Sequence, residues 1–183
     1  MSPKAKSPAV FVDRDGVLIR EVNYLKRPEQ VQVLKGSAEA VAALRKAGFK
    51  VVVITNQSGV GRGYFTLADL KAAHARLASE LRKRGALLDG LYFCPHAPDK
   101  ACACRKPKTL MLRRAARDLK LDMKRSFFVG DTTTDVATAL AAGCAPILVR
   151  TGKGGRDGKH PAKPAVVRRN LAYAARWILN SGV

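Results

Sequence analysis

The sequence has little negative charge, few aromatic side chains and no long apolar stretch. It contains 14 Asp and Glu against 34 Lys and Arg residues, a formal net charge of +20 over 183 residues. Phe, Trp and Tyr make up 6% of the chain, and no stripe of them is evident that could stack unpaired bases. No apolar run reaches the roughly 18 residues that a membrane-spanning helix needs, so we expect no membrane contact.

Cysteine is scarce too, and it is concentrated in one place. Three of the four cysteines and one of the three histidines lie in CPHAPDKACACRKP, residues 94–107. The first ten residues, MSPKAKSPAV, contain no apolar segment typical of secretion signals. We therefore expect the cytoplasm, a reducing compartment in which a tight Cys/His cluster favours a metal site over disulfide bonds.

The positive charge is unevenly distributed. Residues 105–125 hold nine basic residues against two acids, and residues 150–169 hold seven against one, Asp157. Such a field attracts anions and raises the encounter rate with phosphorylated partners. A small phosphate ester and a nucleic acid both fit this pattern, and a high net charge without any specific partner fits it equally well.

Short apolar segments alternate with segments rich in helix formers. We predict strands at 9–12, 49–54, 90–93, 126–130 and 145–149, and helices at 37–47, 66–85, 109–119, 133–142 and 171–179. This alternation predicts one α/β domain with a single doubly wound, mostly parallel, Rossmann-like sheet. We expect residues 1–8 to form a disordered basic tail, 9–183 the domain, and 151–165 a mobile loop.

Polar side chains gather where four of the predicted strands end. Asp13 and Asp15 follow the first strand, Thr55 follows the second, and the third leads through the Cys/His cluster to Lys106. Asp131 follows the fourth strand. Because ligands bind outside the carboxyl ends of parallel strands, we expect these residues to form one site.

The segment VDRDGV suggests chemistry at phosphorus. An ionised Asp13 can attack phosphorus and form an aspartyl-phosphate, and Asp15 can protonate the leaving oxygen and later activate water. Gly16 permits an unusual backbone angle at the turn. Taken alone, this pattern also fits a polar turn or a metal-binding loop.

The segment GDTTTD supplies Asp131 and Asp135. Asp131 and one carboxylate from the first strand would make an oxygen site suited to Mg²⁺, which takes a substrate phosphate as a further ligand. Thr55 offers a hydroxyl to phosphate oxygens, and Lys106 offers a cation for the charge on a transferred phosphoryl group. Alternatively, the two aspartates cap a helix and begin its first turn.

Four segments, in this order, resemble the signatures of one family. FVDRDGVL, ITNQSGVGRGYF, CRKPK and FVGDTTTDVATALAAG are similar to the motifs of haloacid-dehalogenase-like (HAD-like) phosphatases, and specifically to the histidinol-phosphate and heptose-bisphosphate phosphatase branch. The resemblance runs from about residue 10 to 154. It implies a HAD-like fold with no large cap domain and a small zinc-bound loop.

The resemblance also implies individual roles. Asp13 would be the nucleophile, Asp15 the general acid and base, and Thr55 and Lys106 would stabilise the phosphoryl group. Mg²⁺ would bind Asp13, the backbone carbonyl of Asp15, and Asp131, with Asp135 in support. The positions where relatives touch the rest of the substrate correspond to Glu21, Val22, Asn23, Tyr24, Thr55, Asn56, Gln57, Ser58 and Arg105.

The Cys/His cluster matches the zinc loop of that branch, C-x-H followed by C-x-C. Independently of the resemblance, three thiolates and an imidazole from Cys94, His96, Cys102 and Cys104 make a full tetrahedral set, which is typical of structural zinc. Such a metal would order the loop that carries Arg105. Free thiols beside a surface histidine are the alternative.

Two departures from the family pattern bear on the leaving group. Relatives often read KPKPG where this chain has KPKTL, and many carry lysine where this chain has Thr132. The leading hypothesis is a Mg²⁺-dependent phosphomonoesterase that acts on a small sugar phosphate, with D-glycero-D-manno-heptose 1,7-bisphosphate first. Histidinol phosphate, with Glu21 as a partner for its amine or imidazole, is one alternative.

Two further functions stay open. A polynucleotide 3′-phosphatase fits the net charge of +20, although the scarcity of aromatic residues and the zinc loop favour a small molecule. A catalytically silent binding protein would not need Asp13, Asp15, Thr55, Lys106 and Asp131 together. We expect a monomer, because no spare apolar helix is evident for an interface.

Overall fold

The computed structural model describes residues 6–181. Its strands form one six-stranded sheet in the order β3-β2-β1-β4-β5-β6, and every neighbouring pair is parallel. The strands are β1 Ala9–Val12, β2 Lys50–Asn56, β3 Gly90–Cys94, β4 Phe127–Gly130, β5 Ala145–Val149 and β6 Val166–Arg168. The predicted single, doubly wound parallel sheet is confirmed.

The residues that the structure describes include six α-helices. They are α1 Ser37–Lys46, α2 Ser58–Gly61, α3 Leu67–Arg82, α4 Leu110–Asp118, α5 Thr133–Ala142 and α6 Leu171–Asn180, and 3₁₀ turns lie at Pro28–Gln30 and Met123–Arg125. One core contains side chains of α1, α3 and α6, and the other contains side chains of α4 and α5. None of the described helices is long and apolar enough to cross a membrane.

Alternation along β1 explains the two cores. Val10 and Val12 pack into the first core, and Ala9 and Phe11 pack into the second. All four side chains are fully buried, as expected for a central strand with helices on both faces. The continuous apolar run in the sequence therefore reflects burial on both faces of the sheet.

Local sequence signals set the starts of two helices near the site. Thr66 and Asp69 form a capping box at α3, and Thr132 and Asp135 form another at α5. In each box the threonine hydroxyl accepts from the backbone N–H of the aspartate three residues later. Gly143, at φ 76°, ends α5 in the left-handed conformation that glycine adopts without strain.

The structure also differs from the predicted elements. Strand β2 continues to Asn56, so Thr55 lies in the strand, and the sequence analysis missed β6 and α2. Residues 1–5 of the predicted tail lie outside the described residues. Ser7 forms a parallel bridge opposite Leu121, in which its N–H donates to the Lys120 carbonyl and its own carbonyl accepts from Asp122 N–H. The ordered chain therefore begins before the predicted boundary at residue 9.

The strand order places the site. The chain builds the sheet outward from β1 through β2 to β3, then resumes at β4 on the other side of β1. The carboxyl ends of β1 and β4 therefore meet where the chain direction switches, which is where open α/β sheets bind ligands. Asp13 directly follows β1, and Asp131 directly follows β4.

Candidate functional site

Three carboxylates crowd together at this switch point. Oxygen atoms of Asp13, Asp131 and Asp135 all lie within 4.8 Å of one another. Asp131 and Asp135 are each 1% exposed. Burial, assisted by the neighbouring carboxylates, raises the pKa of Asp13 to about 7 and that of Asp131 to about 8. Burial and mutual repulsion both disfavour the ionised carboxylates, so the cluster needs positive charge beside it to stay ionised.

Lys106 supplies part of that charge. Its ammonium group is 3.0 Å from Asp13 Oδ2 and 2.6 Å from Asp135 Oδ1, and it donates to the backbone carbonyl of Ile54 at 3.1 Å. The two carboxylates outweigh the effect of burial and raise the pKa of Lys106 above its ordinary value. Lys106 is therefore a fixed cation beside Asp13, and the cluster still carries excess negative charge.

The remaining charge and the donor chemistry fit a divalent cation. Both carboxylate oxygens of Asp135 are occupied, Oδ1 by Lys106 and Oδ2 by the backbone N–H and hydroxyl of Thr132. Asp135 is thus better suited to hold Lys106 than to bind an ion. Asp13 and Asp131 are left as hard oxygen donors, and Mg²⁺ prefers one or two carboxylates together with a substrate phosphate.

Two glycines make room for Asp131. Gly16 has φ +76° and Gly152 has φ +59°, and a Cβ atom at either position would overlap the Asp131 carboxylate. The same carboxylate accepts from the backbone N–H of Lys153 at 2.7 Å. Asp131 is therefore enclosed between the turn after β1 and the loop after β5. Nothing in the sequence analysis pointed to Gly152.

Thr55 and Asp15 are joined through one side chain. The amide of Gln57 donates to Thr55 Oγ1 at 2.8 Å and to Asp15 Oδ2 at 2.9 Å. Arg14 forms an ion pair with Asp15, and the shortest distance between them is 2.9 Å. No role was predicted for Arg14, although it stands between the two aspartates of the DRD segment.

Most of these groups line one cleft of about 490 Å³. Every residue predicted to be catalytic or to contact substrate lines it, together with Asp131. Those residues are Asp13, Asp15, Glu21, Val22, Asn23, Tyr24, Thr55, Asn56, Gln57, Ser58, Arg105 and Lys106. Asp135 does not line the cleft, consistent with its place behind Lys106.

The cleft is also lined by cations that were not predicted to lie there. Arg62, Lys153 and Lys159 join Arg105 on its walls. Among residues 6–181, none of these four takes part in an ion pair within 4.0 Å. The cleft thus has carboxylates at its base and unpaired positive charge on its walls.

The Cys/His cluster forms a second metal-type site at the cleft margin. The Sγ atoms of Cys94 and Cys102 are 3.7 Å apart, and His96 Nδ1 lies 3.5 Å from Cys94 Sγ and 3.2 Å from Cys104 Sγ. Two sulfurs at about 2.3 Å from a tetrahedral zinc ion lie about 3.8 Å apart, so the observed spacing fits zinc. All four cysteines of the chain are free of disulfide bonds.

This zinc-type loop, residues 94–104, is tied to the cleft on both sides. The carbonyl of Cys94 accepts from Gln57 N–H at 2.7 Å, and that of Pro95 accepts from Gly61 N–H at 2.8 Å. Lys106, just beyond the loop, exchanges two hydrogen bonds with Asn56, at 3.0 Å and 3.3 Å. The loop therefore positions residues 105–106 against β2.

A second loop, residues 151–160, comes after β5 and borders the cleft on the side away from β3. Its only acidic residue, Asp157, accepts from the backbone N–H of Thr133 at 2.7 Å and from the Thr133 hydroxyl at 2.8 Å. The Thr133 hydroxyl in turn accepts from the backbone N–H groups of Lys159 and His160. The loop is thus bound to the first turn of α5. In the sequence, the sign of this contact was a single acidic residue within a basic segment.

Comparison with known proteins identifies the family. A HAD-hydrolase-like family model matches residues 103–174. The D-glycero-β-D-manno-heptose-1,7-bisphosphate 7-phosphatase of Pseudomonas putida is 45% identical over 172 residues, covering 93% of this chain and 98% of the relative. A D-glycero-D-manno-heptose-1,7-bisphosphate 7-phosphatase of Thermosynechococcus vestitus is 43% identical, over 93% and 95% of the two chains.

A solved structure agrees with these relatives. The D,D-heptose 1,7-bisphosphate phosphatase of Bordetella bronchiseptica, crystallised with magnesium and phosphate, superposes with a TM-score of 0.86 at 38% identity, covering 94% of this chain and 98% of the other. The matches span nearly the full length of both partners. The chain therefore belongs to the HAD-like phosphatases, in the family that includes the heptose-bisphosphate phosphatases.

Proposed function

We propose that the protein is a Mg²⁺-dependent phosphomonoesterase that removes the 7-phosphate of D-glycero-D-manno-heptose 1,7-bisphosphate. The observation that carries the proposal is the meeting of Asp13, Thr55, Lys106 and Asp131 in one cleft, in a chain 45% identical to a phosphatase of that specificity. A phosphate-sized anion between these groups would face a nucleophile, a hydroxyl and a fixed cation.

In the first half of the proposed reaction, an Asp13 oxygen attacks phosphorus and the bond from phosphorus to the sugar oxygen breaks. Asp15 gives its proton to that oxygen, so the sugar leaves as an alcohol. Lys106, 3.0 Å from Asp13, stabilises charge on the phosphoryl oxygens. Asp13, Asp131 and the backbone carbonyl of Asp15 would hold Mg²⁺, which would supply further neutralisation of charge.

In the second half, water attacks phosphorus of the aspartyl-phosphate while Asp15 takes a proton from the water. The bond between phosphorus and the Asp13 oxygen breaks, which frees inorganic phosphate and regenerates the carboxylate. Asp15 thus returns to its protonated state, ready for another substrate. Splitting hydrolysis in this way requires one group to act first as acid and then as base.

The unpaired cations support a substrate with a second phosphate. Arg62, Arg105, Lys153 and Lys159 line the same cleft, and charge-assisted contacts to phosphate are about twice as strong as neutral ones. A sugar bisphosphate with one phosphate at Asp13 would present its other phosphate to these walls. Glu21, Asn23 and Tyr24 would contact the sugar hydroxyls.

We further propose a structural zinc ion at Cys94, His96, Cys102 and Cys104, and a cytoplasmic monomer. A full tetrahedral donor set leaves no open position for substrate, and a reducing compartment keeps the thiols able to bind metal. Size-exclusion chromatography with light scattering tests the monomer, and metal analysis of the purified protein tests the zinc.

Replacing Asp13 by Asn tests the reaction. The variant should release no phosphate above background from heptose 1,7-bisphosphate with Mg²⁺, while its melting temperature stays within a few degrees of wild type. Normal turnover by the variant would contradict the proposed nucleophile.

A substrate panel tests the specificity. Histidinol phosphate and DNA 3′-phosphate ends are the competing substrates, and each is assayed across a salt titration. Faster turnover of DNA ends, with a steep loss as salt rises, would favour a nucleic-acid substrate. Faster turnover of histidinol phosphate would likewise overturn the heptose assignment while leaving the reaction type intact.

A further inference from the structure

A chain of buried hydrogen bonds leads from α3 to the cleft. Arg14 is 2% exposed, and its Nη1 lies 3.1 Å from Nε2 of His74, a buried residue of α3. From its other side, Arg14 donates through Nε and Nη2 to both oxygens of Asp15, at 2.9–3.1 Å. Nη2 also donates to Gln57 Oε1 at 2.9 Å.

The orientation of this guanidinium depends on His74. Arginine only donates hydrogen bonds, so His74 Nε2 must accept, and the imidazole is neutral with its proton on Nδ1. Burial, and then the charge of Arg14, lowers the pKa of His74 to about 3, in agreement with a neutral ring. The ring is fixed in turn by an edge-on contact with Phe93 at 5.4 Å between centroids.

The network leaves the two oxygens of Asp15 unequal. Oδ2 accepts from Nε and Nη2 of Arg14 and from the amide of Gln57. Oδ1 accepts from Nη2 of Arg14 alone among the described residues. Because a carboxylate oxygen offers about two lone-pair sites, Oδ1 has room to take up a proton, and Asp15 lines the cleft.

We propose that His74 is a positioning residue for the phosphatase reaction: by orienting Arg14, it holds Asp15 so that Oδ1 faces the reacting groups and carries the proton. The inference rests on the proposed function, since it assigns the geometry of the acid and base used there. His74 itself touches neither substrate nor metal. Without an acceptor on α3, Arg14 Nη1 would be buried and unpaired, and the Arg14 guanidinium would turn away from Asp15.

Three substitutions separate positioning from packing. His74→Gln can place an amide oxygen where Nε2 lies and keep the hydrogen bond to Arg14. His74→Asn is too short to do so, and His74→Leu offers no acceptor. Leu70→Ala is the matched control, because Leu70 is fully buried one turn earlier on α3 and its loss weakens packing without removing a partner of Arg14.

The readout is the kinetics on two esters. With heptose 1,7-bisphosphate, His74→Leu and His74→Asn should lower kcat by about tenfold or more, with KM within about twofold of wild type. His74→Gln should stay within about threefold. With p-nitrophenyl phosphate, whose leaving group needs no proton, Leu and Asn variants should show a burst near one p-nitrophenolate per chain before slow turnover, because only the water step still requires Asp15.

Each other outcome counts against the inference. Equal kcat for the Gln, Asn and Leu variants, or the same burst in Leu70→Ala, would assign His74 to packing alone. A lowered kcat without a burst would place the defect before the phosphoenzyme, away from Asp15. If the wild type itself formed no phosphoenzyme, the proposed function would be wrong. This result is distinct from the others because it is seen without any substitution. Melting temperatures of all four variants establish that each is folded.

Discussion

Two loops bring positive charge to the same cleft, and they are held in place by different chemistry. The zinc-type loop, residues 94–104, gathers four soft donor atoms and leads into Arg105 and Lys106. The loop at residues 151–160 contributes Lys153 and Lys159 and is bound to α5 through Asp157. Beyond Cys94, the last residue of β3, neither loop contains a strand or a helix.

The comparison shows two ways to order a segment without a hydrophobic core. A metal site concentrates a large binding free energy in a few ligands, so losing one ligand affects the entire segment. A network of backbone and carboxylate hydrogen bonds distributes a smaller free energy over several contacts, each worth about 0.5–3 kcal/mol. We therefore expect loss of order to be abrupt in the first loop and graded in the second.

The largest effect should come from removing a zinc ligand. Cys102→Ser should lower bound zinc from about one per chain to near zero and reduce kcat/KM at least about a hundredfold, because Lys106 loses the loop that positions it. Zinc analysis and steady-state kinetics measure both quantities. Cys144→Ala is the control, since Cys144 is buried in the second core and is not one of the four clustered donor residues. Full zinc and full activity in Cys102→Ser would contradict a structural metal.

A glycine pair in the second loop should give the next largest effect. Gly152 and Gly158 both have positive φ, +59° and +56°, but a Cβ at Gly152 would meet Asp131 whereas a Cβ at Gly158 would meet nothing within 4 Å. Gly152→Ala should therefore lower kcat/KM about tenfold to a hundredfold by displacing Asp131. Gly158→Ala should cost only about 1–2 kcal/mol of stability. Similar kinetics for the two variants would remove Gly152 from the site.

Charge removal from the second loop should be milder. The Lys153→Ala/Lys159→Ala pair should raise KM for heptose 1,7-bisphosphate about tenfold, because the distal phosphate loses charge-assisted contacts. Turnover of p-nitrophenyl phosphate, which has no second phosphate, should change less than about twofold. The Lys163→Ala/Arg169→Ala pair, which removes two exposed basic residues outside the cleft, is the charge-matched control. Equal losses on both esters would argue against a role in binding the second phosphate.

The sequence was sufficient for five of the six strands and for the residues with distinctive chemistry. Buried strands such as Phe127–Gly130 appear as apolar runs, and the residues that end them fall at one edge by topology alone. Asp13 and Asp131 could be placed together for this reason. The cysteine spacing predicted a metal-binding cluster, because three thiols and an imidazole so close together in the sequence are typical of a metal site.

The sequence was insufficient where a side chain acts through a distant partner. In the sequence, His74 shares a helical spacing with Leu70 and Leu77, and only the fold places it against Arg14, 60 residues earlier. Gly152 and Asp157 lie in a segment predicted to be mobile, because glycine-rich, lysine-rich composition indicates a loop without showing what it contacts. Such contacts depend on strand order, which no local pattern encodes.

The smallest effect concerns Asp157, whose carboxylate binds the second loop to α5. Burial raises the pKa of Asp157, but hydrogen bonds from Thr133 and Thr134 outweigh burial and hold its pKa below the ordinary value. The folded protein thus favours the ionised form, and this stability is present above the unfolded pKa of about 3.9 and lost as the pH falls through the lower folded pKa.

Asp157→Asn should therefore be less stable than wild type by a constant amount, about 1 kcal/mol, from pH 8 down to about pH 5. The difference should shrink as the pH falls below about 4, because protonation of Asp157 removes the same charge that the substitution removes. Urea unfolding of both proteins at each pH measures it. A difference that persisted unchanged at low pH would mean that the shape of the side chain anchors the loop, and its charge does not.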